Sequence, residues 1–206
     1  MYYQVNRLRA QILGNEQLGY SQFHGPWIRS AHSINLVTYS ALPITFPTMK
    51  IIHIRKRNGS LREIYCPSPE EKARLRAQLD RLNGFAILCD QHHVAHGFMP
   101  RRSPVTNAMQ HRGYAFSLSF DLEDWFNTVT PEHVMHVPGL MSDEACLCFI
   151  DGAAKQGLPT SPAMANIAAS RMDHEIVSLR ARSRLGWNYG VYTRYADDLT
   201  FSFMLE

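Results

Sequence analysis

The segment Ala115-Phe-Ser-Leu-Ser-Phe-Asp121 alternates strictly between apolar and polar positions. That period predicts a β-strand with Phe116, Leu118 and Phe120 on one face and Ser117, Ser119 and Asp121 on the other. Two more β-rich runs, Gly190–Tyr195 and Leu199–Phe203, flank Ala196-Asp197-Asp198 and predict a tight hairpin with two carboxylates at its tip. Between these regions, Ser161-Pro162 has the sidedness of an N-cap followed by a first-turn proline. Met164, Ile167, Ala168, Met172, Ile176 and Leu179 then recur at helical spacing before Gly186. Upstream, Glu70 to Leu82 places Ala73, Leu75, Ala77, Leu79 and Leu82 among charges without Gly or Pro, predicting one amphipathic helix that stops at Gly84. Lys50–Arg57 and Ser60–Tyr65 read as the strands of a cationic hairpin closed by Asn58-Gly59 in a type I′ turn.

These elements sit in a chain of 206 residues, 45% hydrophobic and 19% charged, which excludes a disordered or fibrous protein and predicts a buried core. No apolar run approaches the roughly 18 residues of a bilayer span, and the first residues show no secretion signal, so a soluble, cytoplasmic protein with no membrane partner is expected. Cys66, Cys89, Cys146 and Cys148 do not form a disulfide framework. Charge is unevenly spread. Residues 1–62 hold eight Lys/Arg against Glu16 alone, whereas the remainder holds 13 basic and 17 acidic side chains. This balance suits a polyanion-binding lobe beside a carboxylate-bearing one, although solvated surface charge explains it equally.

The carboxylates carry the sharper signal. Asp121 and Asp197 lie 76 residues apart, yet adjacent antiparallel strands would bring them together with Asp198. Three like charges at contact distance repel by several kcal/mol at an effective dielectric of about 20, so they require protonation or a cation. Two Mg²⁺ ions, with Mn²⁺ as a substitute, bridged by carboxylates would serve an in-line phosphoryl displacement.

Tyr195-Ala196-Asp197-Asp198, Phe120-Asp121-Leu122-Glu123-Asp124-Trp125-Phe126 and Gln156-Gly157-Leu158-Pro159-Thr160-Ser161-Pro162 resemble, in order, the motifs of reverse transcriptases. Arg55–Ile64 is similar to the fingers hairpin of that family, and Gly97-Phe98 through Ser103 to the segment before the palm in bacterial members. Asn107-Ala108-Met109-Gln110-His111 resembles the Asn-Ala-x-x-His element of the retron branch. The resemblance implies an α+β right-hand polymerase fold: an unassigned extension over 1–45, fingers over 46–114 and a palm over 115–206. Further palm strands and a helical thumb are expected beyond Glu206, so the chain reads as a fragment, a truncated frame or half of a split enzyme.

It further implies RNA-directed DNA synthesis. Asp121 and Asp197 would be the principal metal ligands, with Asp198 supporting the site. Phe126 would lie against the sugar and exclude a 2′-hydroxyl, unless it merely fills the core. Gln156 and Gly157 would line the incoming dNTP, and Arg62, with Lys56 and Arg57, would reach its triphosphate. Arg101, Arg102 and Arg112 are candidates for template phosphates or plain surface charge. Asn107 and His111, four apart, would share a helix face in a structural or RNA-handling role. The implied partners are a structured noncoding RNA serving as template and primer, dNTPs, and an effector protein or a thumb-bearing segment, in antiphage defence. Alternatives are a group II intron-type or other defence-associated enzyme, and a non-catalytic RNA- or protein-binding module. Cys89, His92, His93 and His96 have zinc-like spacings, but no second Cys/His pair completes a site, and a polar helix is the simpler reading.

Overall fold

The computed structural model describes residues 49–56, 59–140, 145, 148–182 and 190–204. The chain divides into two units, Met1–Pro43 and Ile44–Glu206, and the described residues belong to the second. Its elements in chain order are β1 (Lys50–Arg55), β2 (Leu61–Cys66), α1 (Pro69–Arg76), α2 (Leu79–Cys89), α3 (Pro104–Gln110), β3 (Phe116–Asp121), α4 (Trp125–Thr128), a 3₁₀ turn at Pro131–His133, α5 (Ser161–Arg182), β4 (Val191–Tyr195) and β5 (Asp198–Phe203). Helices and two antiparallel sheets make the fold α+β.

The larger sheet has the order β3-β5-β4. Phe120, Leu199 and Arg194 share one row, as do Leu118, Phe201 and Tyr192, so these side chains share a face. That face meets α5, whose Met164, Ile167, Ala168, Met172 and Ile176 are buried. Burying each of the larger of these side chains contributes about 1.5–3 kcal/mol. The segment Val94–His96 extends the sheet: the Arg194 amide donates to the Val94 carbonyl at 2.8 Å, and the His96 amide donates to the Arg194 carbonyl at 2.7 Å. The opposite face carries Asp121 and Asp198, Ser119 with Thr200 and Thr193, and Ser117 with Ser202.

Several expectations need correction. The helix expected over 70–82 is two helices, because the chain tightens at Ala77-Gln78, where the Gln78 amide donates to Leu75 rather than to a residue four back. Gly84 is interior to α2, which runs on to Cys89. The first of these helices starts at a capping box: Ser68 accepts from the Glu71 amide, and Glu71 accepts from the Ser68 amide. The Asn58-Gly59 turn expected between β1 and β2 lies partly outside the described residues. Lys56 donates to the Ser60 carbonyl, Gly59 donates to the Lys56 carbonyl, and Gly59 takes φ +84°, as in a turn completed by a glycine bulge. The Ser161 hydroxyl donates to the Lys155 carbonyl at 2.7 Å instead of capping α5. Phe116 and Leu118 share a face as expected, yet remain 45% and 46% exposed, because β3 is an edge strand.

Candidate active site

Tyr195 and Asp198 are register partners, so the chain reverses through Ala196 and Asp197 alone. Asp198 also pairs with Asp121 across β3 and β5. The Leu122 amide donates to the Asp197 carbonyl at 3.0 Å, which fastens the end of β3 to the turn. The three aspartates therefore come from two strand ends and the reversal between β4 and β5. Burial raises the Asp121 carboxyl above its ordinary pKa, the neighbouring Asp197 adds to this, and Lys56 opposes it. Asp198 is raised by burial and then by Asp197 and Asp121. Each shift means that the ionised form is disfavoured in this setting.

Among the described residues, no three His, Cys, Asp or Glu side chains stand close enough to hold one ion between them. The donor chemistry still fits Mg²⁺, which binds through one or two carboxylates and completes its shell with water and substrate phosphate oxygens. The ionised forms of Asp121 and Asp198 are disfavoured first by burial and then by neighbouring carboxylates, Asp197 above all, and a divalent cation would relieve this.

Beneath the turn lies a polar network that the motif reading did not identify. Arg194 is 1% exposed. Its Nε and Nη2 donate to the Asp173 carboxylate at 2.9–3.2 Å, and its Nη1 donates to Asn166 Oδ1 at 2.9 Å and to the Ala196 carbonyl at 3.0 Å. The Tyr192 hydroxyl donates to Asp173 at 2.7 Å, and Asn166 Nδ2 donates to the Gly97 carbonyl at 2.9 Å. A signal for it existed: Asn166 and Asp173 are seven residues apart on α5, which puts two polar groups on the helix's apolar face.

The other expected residues are dispersed. Lys56 is exposed and acts on Asp121 electrostatically; Arg62 is exposed on β2; Arg57 lies outside the described residues. Phe126 is half-buried on α4, next to the buried Trp125, and its ring stands 6.4 Å from that of Phe98. At Gln156-Gly157, the close approach expected for a nucleotide is made by the protein itself. The Tyr65 amide donates to the Gln156 carbonyl at 2.7 Å, and a Cβ on Gly157, at φ +99°, would lie 2.2 Å from the Tyr65 carbonyl oxygen. This contact ties β2 to the loop before α5.

Arg102 is committed internally: it pairs with Asp90 at 2.7 Å and donates to the Ala95 carbonyl, so it is a brace rather than a free phosphate contact. Arg101 and Arg112 are exposed. Asn107 Oδ1 is buried and accepts no hydrogen bond among the described residues. His111 caps the end of α3 and reaches the polar face of the sheet, with Nδ1 2.8 Å from Ser202 Oγ and Nε2 2.6 Å from Thr193 Oγ1. Burial holds its pKa below 6.5. Of the zinc-spaced residues, only Cys89 is helical. His92 faces His174 at 3.0 Å, and His96 is buried beyond the helix.

A strand-borne aspartate joined to a two-residue acidic turn on an antiparallel sheet is the arrangement found where this chain matches a known family. The family model described as reverse transcriptase (RNA-dependent DNA polymerase) matches residues 54–204, and the chain belongs to that family. Bacterial retron reverse transcriptases are among its relatives. It is 37% identical over 174 residues to the retron Mx162 reverse transcriptase of Myxococcus xanthus, a match covering 72% of this chain and 34% of that protein. It is 36% identical over 155 residues to the retron Ec86 reverse transcriptase of Escherichia coli, covering 69% of this chain and 44% of that protein. The chain thus spans less than half the length of these two relatives.

Proposed function

We propose that this chain carries the polymerase centre of a retron-type reverse transcriptase, which transfers nucleotides from dNTPs to a primer 3′-hydroxyl on an RNA template. The observation that carries the reading is the pairing of Asp121 with Asp198 beside Asp197, in a setting that disfavours their charge. Asp121 and Asp197 would hold two Mg²⁺ ions, with Asp198 in support. When bound, those ions supply activation of the attacking hydroxyl and stabilisation of the departing pyrophosphate oxygen. The chain's own residues orient the reactants. The three-stranded sheet acts as the palm, and the β1–β2 hairpin acts as the fingers, with Lys56 and Arg62 offering cations to the triphosphate. Phe126 lies against the sugar, where a 2′-hydroxyl would clash.

Arg101 and Arg112 contact template phosphate, and a structured noncoding RNA is the natural template and primer. Likeness to retron enzymes extends this to a cytoplasmic role in antiphage defence. No helix among the described residues is long and apolar enough to cross a membrane. The test is primer extension with an RNA template, a DNA primer, dNTPs and Mg²⁺. Extension that requires Mg²⁺ and disappears with Asp197→Ala is expected. RNA binding without any extension would replace this reading with that of a non-catalytic binding module.

A further inference from the structure

Ala196 takes φ +57°, a left-handed conformation that costs a non-glycine residue about 1–3 kcal/mol and persists only where the surroundings impose it. Ala196 is also the residue immediately before Asp197, so its backbone decides where that carboxylate points. Two contacts impose the conformation. Gly97 is pressed so closely against the turn that a Cβ on it would lie 2.3 Å from the Ala196 nitrogen. The Arg194 guanidinium donates to the Ala196 carbonyl. Both contacts converge on Asn166, which donates to the Gly97 carbonyl and accepts from Arg194.

We propose that Arg194 is a positioning residue that locks the Tyr195-Ala196-Asp197-Asp198 turn in its left-handed form, with Asp173 and Asn166 setting the guanidinium. The inference rests on the polymerase reading and adds a residue to it. The geometry explains why arginine stands here. A planar fork meets Asp173 through two of its nitrogens, Nε and Nη2, while two further contacts leave from the third, whereas an ammonium is a point donor on a flexible stem. A purely structural ion pair would end at Asp173; this one continues to the backbone of the catalytic turn. Burial works against the guanidinium's charge, but Asp173 outweighs it and raises the Arg194 pKa, so the donor stays charged at any working pH.

Two variants test the role. Arg194→Lys keeps a charge opposite Asp173 but cannot span the carboxylate and the Ala196 carbonyl. A triple replacement, Arg194→Met with Asp173→Leu and Tyr192→Phe, removes the buried ion pair and its tyrosine partner together, an exchange that buried ion pairs tolerate, and takes away the donor that now serves Asn166 Oδ1 and the Ala196 carbonyl. Three quantities are read: thermal melting, Mn²⁺ affinity by electron paramagnetic resonance on the nucleic-acid-free chain, and primer extension. Melting within a few degrees of the unmodified chain is expected in at least one variant. In that variant, Mn²⁺ affinity and kcat should each fall about tenfold or more, while KM for dNTP changes less than about twofold. Equal Mn²⁺ affinity and equal kcat in a folded variant would overturn the positioning role alone. An unmodified chain that neither binds Mn²⁺ nor extends a primer would remove the polymerase reading, and this inference with it.

Discussion

The acidic turn and the β1–β2 hairpin are both antiparallel reversals, yet they are held in opposite ways. Under the turn, β4 contributes Tyr192, Thr193 and Arg194, all buried at 2% exposure or less; Arg194 bonds to Asn166 and Asp173 of α5 and to the Ala196 carbonyl, Leu122 at the end of β3 bonds to Asp197, and Gly97 packs against Ala196. Every residue of β1 is exposed, and among the described residues the hairpin's hold on its surroundings is concentrated at Tyr65. Tyr65 packs with Leu75 and Leu158, and its amide donates to Gln156. Under the proposed function this is a division of labour: the carboxylates stand on a braced floor, and the cations that would meet a charged ligand project from an arm that is lightly held among the described residues.

The largest effect should come from the floor. Asp121→Ala or Asp197→Ala is expected to lower kcat by roughly 10⁴-fold, the scale seen when a member of a catalytic unit is removed. Arg62→Ala on the arm should instead raise KM for dNTP by about tenfold, the loss of one charge-assisted contact to phosphate. Steady-state primer extension separates the two. A kcat collapse from Arg62→Ala, with KM unchanged, would break the comparison by placing the arm in the chemistry. Next in size, Phe126→Ala should raise the use of ribonucleotides relative to deoxynucleotides about 10–100-fold in competition assays, since the ring's volume is the proposed barrier.

How much of this was legible in the sequence differs between the same two regions. Strict alternation before Asp121, and the two β-rich runs around Ala196-Asp197-Asp198, gave the paired strands and the acidic turn directly, because a period of two is a local property. The hairpin's existence was legible too, and Gly59 takes the positive φ that a tight reversal needs. The break at Ala77-Gln78 left no trace, since neither residue strongly disfavours a helix and the buried Leu75 and Leu82 on either side of it keep helical spacing. Gly84 misled as a stop signal because an interior glycine costs only about 1 kcal/mol. The Arg194 network was hidden for another reason: one arginine in a strand reads as surface charge until the helix that buries it, carrying Asn166 and Asp173, is in place. Long-range pairing of polar residues is a property of the fold, and periodicity does not encode it.

The anchor itself gives the next prediction. Gly157→Ala would place a methyl 2.2 Å from the Tyr65 carbonyl oxygen, at a φ that L-residues rarely adopt. The backbone must give way, at a cost of about 1–3 kcal/mol. If the arm has one anchor, the variant should raise KM for dNTP several-fold and speed amide exchange in β2, while exchange in β4 and β5 stays slow. Faster exchange spread equally over both sheets would show that the two regions are one cooperative unit.

The smallest effect concerns pH. Burial lowers the pKa of His96, His111, His133 and His136 from 6.5, with secondary contributions from neighbouring charges at all but His111. For each, the unfolded chain takes up a proton more readily than the folded one. The stability they provide is therefore complete above about pH 6.5 and is lost as pH falls through and below that value. His111 makes this a property of the floor: as a neutral ring it donates to one of the Ser202 and Thr193 hydroxyls and accepts from the other, and the imidazolium loses the acceptor. Melting temperature should fall by about 2–4 °C for each 1 kcal/mol lost between pH 7.5 and 5.5, and His111→Gln should flatten that slope. On the arm, His53 faces Glu63 at 3.4 Å with both side chains half exposed, a pairing worth about 0–1 kcal/mol, so His53→Gln should leave the slope unchanged. A slope that responds to His53→Gln and ignores His111→Gln would place the acid-sensitive element in the hairpin, and the contrast between a braced floor and a lightly held arm would fail at its most sensitive point.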